Sequence, residues 1–192
     1  LKKLSKQVKD IKLYSGNEIF IDHDILKFVN DKKVSSLNHS KYLLIELPLN
    51  SQILDLFDLL FEFRAKGYIP IIAHPERYTF LQNNPNMIDE FLENGCLFQG
   101  NLANILGKYG NHSKNMFLYM LKNNKYQFLA TDIHYENDEL FTEYENVKKK
   151  IMKLISSNIY EELTHTNPLK VINNEDIEVD LEKKKKKFRL FK

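Results

Sequence analysis

Residues 68–74 read "YIPIIAH", a short run of apolar and β-branched residues that ends on a histidine. A run of this kind, bounded by polar segments, predicts a buried strand. Four further runs have the same character, and they are "EIFID" (18–22), "YLLIELP" (42–48), "CLFQGN" (96–101) and "YQFLATD" (126–132). The sequence therefore predicts five strands spread along the chain.

Segments in which apolar residues recur every three or four positions lie between these runs and predict amphipathic helices. These segments are 53–67, 87–95, 113–125 and roughly 138–157. The first two end at Gly67 and Gly95, where a left-handed helix cap is expected. Strands alternating with helices predict an α/β fold, with a parallel sheet that helices cover. Periodicity alone does not separate a barrel from an open doubly wound sheet.

Composition excludes several classes of protein. Hydrophobic residues make up 43% of the 192 residues, which fits one domain with a sizeable core. The net charge of +2 gives no electrostatic case for a nucleic-acid partner. The single cysteine, Cys96, excludes an internal disulfide and suits a reducing compartment. No apolar run is long enough to cross a bilayer, so we expect a cytoplasmic protein without an integral membrane segment.

The two ends of the chain differ from its middle. Residues 1–10, "LKKLSKQVKD", read as the middle of a helix, so we expect further sequence upstream of Leu1. Residues 182–192, "EKKKKKFRLFK", predict a solvated basic tail after a domain that covers residues 1–181. The alternative for this tail is an amphipathic segment that touches a partner or an anionic membrane surface.

Ionisable side chains open, interrupt or end the predicted strands. They are Glu18, Glu46, His74, Asp132 and His134. An unpaired carboxylate in a buried strand is costly, so it usually becomes neutral, pairs or binds a cation. In parallel α/β folds the strand ends on one side carry the active site. We therefore expect these side chains to converge.

The residue types in this set suit a metal. Carboxylates and imidazoles without a thiolate are typical ligands of manganese, iron, zinc or magnesium-like divalent ions. Asp132 and His134 are two residues apart, so on an extended backbone both side chains face the same way. Each signal alone has a simpler explanation, since a single strand-end histidine is often structural and Glu46 could pair with a lysine. The joint pattern favours a metal site.

Arg77 follows His74 by three residues and is predicted to lie on the loop beyond the strand. Its planar guanidinium suits bidentate binding of a phosphate, and Pro75 restricts the turn between the two residues. The alternative is a salt bridge with Glu76 or another acid at the rim. Cys96 lacks the following arginine that a thiol phosphatase requires, so it is predicted to belong to the core.

The segment "PIIAHPERY" (70–78), with "YLLIELP" before it and "ATDIH" (130–134) after it, closely resembles the bacterial CpsB/YwqE-type protein-tyrosine phosphatases. These enzymes belong to the polymerase and histidinol phosphatase (PHP) superfamily. The resemblance implies a distorted (β/α)7 barrel and a cluster of up to three divalent ions, commonly manganese. It also implies phosphotyrosine on a bacterial tyrosine autokinase as substrate, in the regulation of capsule or exopolysaccharide biosynthesis.

The resemblance also implies roles for individual residues. Glu18 resembles the carboxylate that bridges two metals, and Glu46 and His74 match further ligands of one of those ions. Asp132 and His134 match the last two ligands. Arg77 matches the phosphate-binding arginine, so that Arg77 and His74 are the expected catalytic residues.

The chain also departs from the family pattern. The H-x-H strand, the aspartate soon after it and the T-P-H-H segment, which precede the bridging glutamate in the family, are absent here. For a chain that starts at Leu1 we expect a barrel incomplete at its N-terminus and impaired metal binding. Where many relatives carry an arginine shortly after D-x-H, residues 135–141 read "YENDELF". The remaining histidines, His23, His39, His112 and His165, are predicted to be surface residues.

The function expected from these observations is metal-assisted hydrolysis of a phosphotyrosine ester, without a cysteine nucleophile. One alternative is another PHP phosphoesterase that acts on a substrate such as histidinol phosphate. A second alternative is an inactive truncated homologue that serves only as a binding module. The oligomeric state stays open, with a homo-oligomer as one option.

Overall fold

A computed structural model describes residues 11–21, 25, 35–51 and 54–179. Its strands are β1 (Glu18–Phe20), β2 (Tyr42–Glu46), β3 (Ile69–Ala73), β4 (Leu97–Asn101) and β5 (Phe128–Ala130). Each strand lies inside the run that predicted it. Neighbouring strands are parallel and follow the chain in the order β1-β2-β3-β4-β5. The predicted α/β fold with a parallel sheet is therefore confirmed.

Within the described part of the chain the sheet is open, with β1 and β5 at its two edges. The expected distorted (β/α)7 barrel, incomplete at its N-terminus, is not confirmed by these strands and stays a prediction. The amino-terminal segment 1–10, His23 and the basic tail 182–192 with its boundary at 181 lie outside the described residues.

Seven α-helices are complete within the described residues. They are α1 (Leu56–Ala65), α2 (Thr79–Asn83), α3 (Met87–Glu93), α4 (Asn111–Lys122), α5 (Leu140–Met152), α6 (Ser157–Glu161) and α7 (Asn167–Ile172). Gly67 and Gly95 have φ angles of 84° and 75°, which confirms the predicted left-handed positions after α1 and α3. Helices α2, α6 and α7 were not predicted, because five or six residues are too few to show a helical period.

The side chains of successive strand residues point to opposite faces of the sheet, and both faces are covered. On one face Leu43, Ile45, Ile72, Phe98 and Leu129 pack into the larger core with apolar residues of α1, α3, α4 and α5. On the other face Tyr42, Ile71, Leu97 and Phe128 pack with Val171 of α7. Burial on both faces explains why the strands read as almost continuous apolar runs.

Residues after α7 fasten the amino end of β2. The Tyr42 hydroxyl donates to the carbonyl of Glu175 at 2.6 Å, and Lys41 forms an ion pair with Asp176. The Asn38 side chain donates to the carbonyl of Ile172 at 3.0 Å. These bonds lie at the amino end of β2, while the polar residues Glu46 and His74 lie at the carboxyl edge of the sheet.

The structure tests the predictions for Cys96, for three of the histidines and for membrane-spanning helices. Cys96 is fully buried in the larger core, and burial raises the pKa of its thiol to about 12. His39, His112 and His165 are exposed, as predicted. Of the helices that the structure describes, none combines the length and the apolar character needed to cross a membrane.

Candidate metal centre

Three of the predicted ligands meet at the carboxyl edge of the sheet. The His74 Nε2 atom lies 3.3 Å from Oε1 of Glu18 and 3.3 Å from Oε1 of Glu46. One ligand atom from each residue lies within 4.8 Å of the other two. We call Glu18, Glu46 and His74 the triad.

The register of the sheet explains how two glutamates reach one histidine. Glu46 is the last residue of β2 and pairs with Phe20, while Glu18 pairs with Leu44. Leu44 and Glu46 are two residues apart, so Glu18 and Glu46 lie on the same face. Glu18 opens β1, as it opens the run "EIFID" in the sequence, and the short strand still brings it level with the end of β2.

His74 leaves β3 through an unusual backbone conformation. Its N–H donates to the carbonyl of Gln99 at 2.8 Å, and its φ angle of 33° is left-handed, which is uncommon for a residue other than glycine. A 3-10 turn, Pro75–Arg77, follows at once. The buried Tyr78 hydroxyl donates to the Ala73 carbonyl at 2.7 Å and accepts from the N–H of Leu47 at 3.0 Å. Tyr78 thereby ties the exit of β3 to the exit of β2.

The triad has the chemistry of a cation site. A neutral imidazole carries a single N–H, so it cannot satisfy two carboxylates at Nε2, and the carboxylates repel each other. The side chain of His74 is only 4% exposed, and its Nδ1 has no hydrogen-bond partner among the described residues. The side chains of Glu18 and Glu46 are 29% and 31% exposed, which leaves one side of the triad open to solvent. A divalent cation with nitrogen and oxygen ligands fits these residues.

Basic side chains influence the carboxyl of Glu18. Contact with His74 lowers the pKa of the Glu18 carboxyl, although its partial burial acts in the opposite direction. The charges of His134 and Arg77 lower it further. The Arg77 guanidinium therefore adds positive charge near the Glu18 carboxylate.

Asp132 and His134 form a separate pair after β5. His134 Nδ1 lies 3.6 Å from Asp132 Oδ1 and 2.9 Å from the Asp132 carbonyl oxygen. The side chain of His134 is 65% exposed and that of Asp132 is 14% exposed. The prediction that this strand continues to residue 132 is wrong. Strand β5 ends at Ala130, and Asp132 has a left-handed φ angle of 52°. The pair is not among the groups that converge on His74.

Arg77 lies on the turn after β3, as predicted. Its guanidinium carbon is 4.4 Å from the ring centre of Tyr109, and it forms no ion pair with any residue that the structure describes. The alternative prediction was a salt bridge with Glu76 or another acid at the rim. For Glu76 it is wrong, because the Glu76 carboxylate is fully buried and is bonded elsewhere.

Glu76 is a functional candidate that sequence reasoning missed. Its Oε1 accepts from the N–H of Asn101 at 2.8 Å and from Asn104 Nδ2 at 2.6 Å, and its Oε2 accepts from the Tyr126 hydroxyl at 2.8 Å. Burial raises the pKa of the Glu76 carboxyl, while the bonds from Asn101 and Tyr126 oppose that rise. Three donors thus hold the turn between His74 and Arg77 against the end of β4.

Asn101 was missed as well, although its signal was available. It ends the run "CLFQGN" in the same way that the other polar residues end their strands. Its Nδ2 donates to Asp132 Oδ2 at 2.9 Å. Asn101 therefore bonds to Glu76 on one side and to Asp132 on the other.

Comparisons with known proteins place this chain in a family. A family model described as capsular polysaccharide synthesis, CpsB/CapC, matches residues 1–173. CapC of Staphylococcus aureus is 37% identical over 124 residues, which is 65% of this chain and 49% of CapC. The tyrosine-protein phosphatase YwqE of Bacillus subtilis is 32% identical over 133 residues, which is 69% of this chain and 52% of YwqE. The chain thus spans about half the length of the curated relatives that it matches.

The fold has a close counterpart among solved structures. It superimposes with a TM-score of 0.82 and 27% identity over 94% of this chain and 72% of the other. That structure comes from a study of YwqE from Bacillus subtilis and CpsB from Streptococcus pneumoniae, which it describes as metal-dependent tyrosine phosphatases.

Proposed function

Because this chain belongs to the CpsB/CapC family of capsular polysaccharide synthesis proteins, we propose that it is a metal-dependent protein-tyrosine phosphatase. The observation that carries the proposal is the triad, in which Glu18 and Glu46 both face the buried His74. Arg77 lies on the turn Pro75–Arg77 that directly follows His74, so its guanidinium is proposed to serve the same edge of the sheet.

In this proposal the triad holds a divalent cation, and Asp132 and His134 supply further ligands. A bound divalent cation stabilises negative charge on phosphoryl oxygens and makes water a nucleophile near neutral pH. The reaction breaks the bond between phosphorus and the tyrosine oxygen and forms a bond between phosphorus and a water oxygen. The products are tyrosine and phosphate, and no side chain of the protein is modified.

Arg77 is proposed to bind the phosphoryl oxygens. The Tyr109 ring covers one face of its guanidinium, which leaves the N–H groups at the edge of the plane to bind oxygens. Since no described acid occupies those N–H groups, they are available to a phosphate. A planar guanidinium can donate two parallel hydrogen bonds to a phosphate, which favours both binding and orientation.

Three further parts of the proposal concern the native metal, the fold of the whole enzyme and the substrate. They are manganese as the native metal, a PHP-type (β/α)7 barrel for the whole enzyme and the phosphotyrosine tail of a bacterial tyrosine kinase as substrate. A cytoplasmic location and a homo-oligomeric state remain predictions too. The buried thiol of Cys96 agrees with a reducing compartment.

The proposal predicts that hydrolysis of a phosphotyrosine peptide requires a metal. We expect phosphate release with added Mn²⁺, loss of turnover when EDTA is added in excess, and recovery when Mn²⁺ is restored. Cys96→Ala should keep the activity, because the thiol is buried and its raised pKa disfavours the thiolate. The test measures phosphate release by the unmodified chain under the three metal conditions and by Cys96→Ala with added Mn²⁺.

Each alternative has its own outcome in this assay. Turnover that survives EDTA would contradict the metal mechanism. Faster hydrolysis of histidinol phosphate than of the peptide would favour another PHP phosphoesterase. Binding of the peptide with no turnover under any condition would favour a binding module.

A further inference from the structure

Asn101 occupies the centre of the carboxyl edge. It is the last residue of β4, and β4 lies between β3, which leads to His74, and β5, which leads to Asp132. The residue is almost completely buried, so its polar atoms must find partners within the protein.

The bonds of Asn101 fix the orientation of its amide. Its Oδ1 accepts from the N–H of Ala103 at 2.9 Å, which caps the 3-10 turn Leu102–Leu106. Since Oδ1 is committed to a donor, Nδ2 must be the atom that faces Asp132, and it donates to Asp132 Oδ2 at 2.9 Å. A longer contact of 3.4 Å joins Nδ2 to the Tyr109 hydroxyl, and the ring of Tyr109 covers Arg77.

The backbone of Asn101 is anchored on the other side. Its N–H donates to Oε1 of Glu76, and the same oxygen accepts from Nδ2 of Asn104. The Ser113 hydroxyl donates to Oδ1 of Asn104 at 2.7 Å. The Gln82 side chain donates to the Glu76 carbonyl at 2.8 Å. The turn between His74 and Arg77 is therefore connected by hydrogen bonds to Asn101, and through Asn101 to Asp132.

We propose that Asn101 is a positioning residue that orients the Asp132 carboxylate for metal binding and ties it to the turn between His74 and Arg77. This proposal rests on the proposed function, because it assigns Asp132 to the metal centre. With Oδ2 held by the amide, the Oδ1 atom remains on the side of His134. Groups that hydrogen-bond a metal ligand fix its direction, and their loss weakens metal affinity.

The first test compares two buried asparagines in the full chain. Asn101→Ala should weaken Mn²⁺ binding by roughly 10- to 100-fold and lower kcat with little change in KM. Asn167→Ala is the matched control, because Asn167 is equally buried and donates a bond of 2.9 Å to the Gln127 carbonyl, which precedes β5. The control should lose thermal stability but keep the Mn²⁺ affinity of the unmodified chain. Equal Mn²⁺ affinity in both variants would overturn the proposal.

A second measurement does not depend on metal or activity. Thermal midpoints of the metal-free chain, Asn101→Ala, Asp132→Ala and the double variant form a double-mutant cycle. If the Asn101 amide acts on Asp132, the double variant should lose less than the sum of the two single losses. Additive losses would contradict the proposal. If the unmodified chain does not bind Mn²⁺, the proposed function is contradicted. The double-mutant cycle, which needs no metal, still decides whether Asn101 positions Asp132.

Discussion

Arg77→Ala is expected to lower kcat/KM for a phosphotyrosine peptide by at least about 100-fold, because removing one preorganised donor to a developing oxyanion costs that much in other enzymes. The expected loss equals about 2.7 kcal/mol of transition-state stabilisation. Mn²⁺ affinity should change little, since Arg77 is not a proposed ligand. Steady-state kinetics together with a calorimetric Mn²⁺ titration would measure both quantities.

Two variants control this result. Arg77→Lys keeps the charge but loses the planar fork, so its activity should lie between those of the unmodified chain and Arg77→Ala. Arg64→Ala removes the other described arginine, whose Nη1 donates to the Gly95 carbonyl at 2.7 Å before β4, near the opposite edge of the sheet. Its activity should remain unchanged. Equal losses in Arg64→Ala and Arg77→Ala would mean that Arg77 acts through stability and not on the phosphate.

His74→Ala is expected to abolish metal-dependent turnover and to weaken Mn²⁺ binding by more than about 100-fold. Loss of a group that only supports a ligand already costs up to about 100-fold, so loss of a ligand should cost more. The substitution also removes the nitrogen that both Glu18 and Glu46 face at 3.3 Å, and two carboxylates would then face each other. Metal content after dialysis against Mn²⁺ and the rate of phosphate release are the measurements.

His39→Ala is the matched control for His74→Ala. His39 is exposed and lies just before β2, at the amino edge of the sheet. We expect its Mn²⁺ content and activity to match the unmodified chain. A His74→Ala variant that remains folded and retains the Mn²⁺ affinity of the control would refute the assignment of His74 as a ligand.

The sequence predicted the strands well because both faces of the sheet are buried. Each run, such as 68–74, is apolar on two faces, and such a pattern is hard to confuse with an exposed helix. Polar residues that open, interrupt or end these runs predicted one converging set of five, and the structure brings three of them, the triad, together. The same reasoning failed for the end of β5, because the left-handed backbone of Asp132 has no signal in the sequence.

The interior support of the site could not be predicted in the same way. Glu76 stands between a proline and an arginine and was read as a rim acid, yet its carboxylate is bonded by Asn101 and Tyr126, which are 25 and 50 residues away in the chain. Only the folded topology brings such donors together. Local spacing therefore predicts which strand end carries a ligand, but not which buried group holds that ligand in place.

The most direct test of a metal centre at the triad is a crystal structure of the chain grown with Mn²⁺, with diffraction data that record the anomalous signal of manganese. We expect an anomalous peak within bonding distance of His74 and of the Glu18 and Glu46 carboxylates. Peaks elsewhere on the protein, with no peak at the triad, would contradict this expectation.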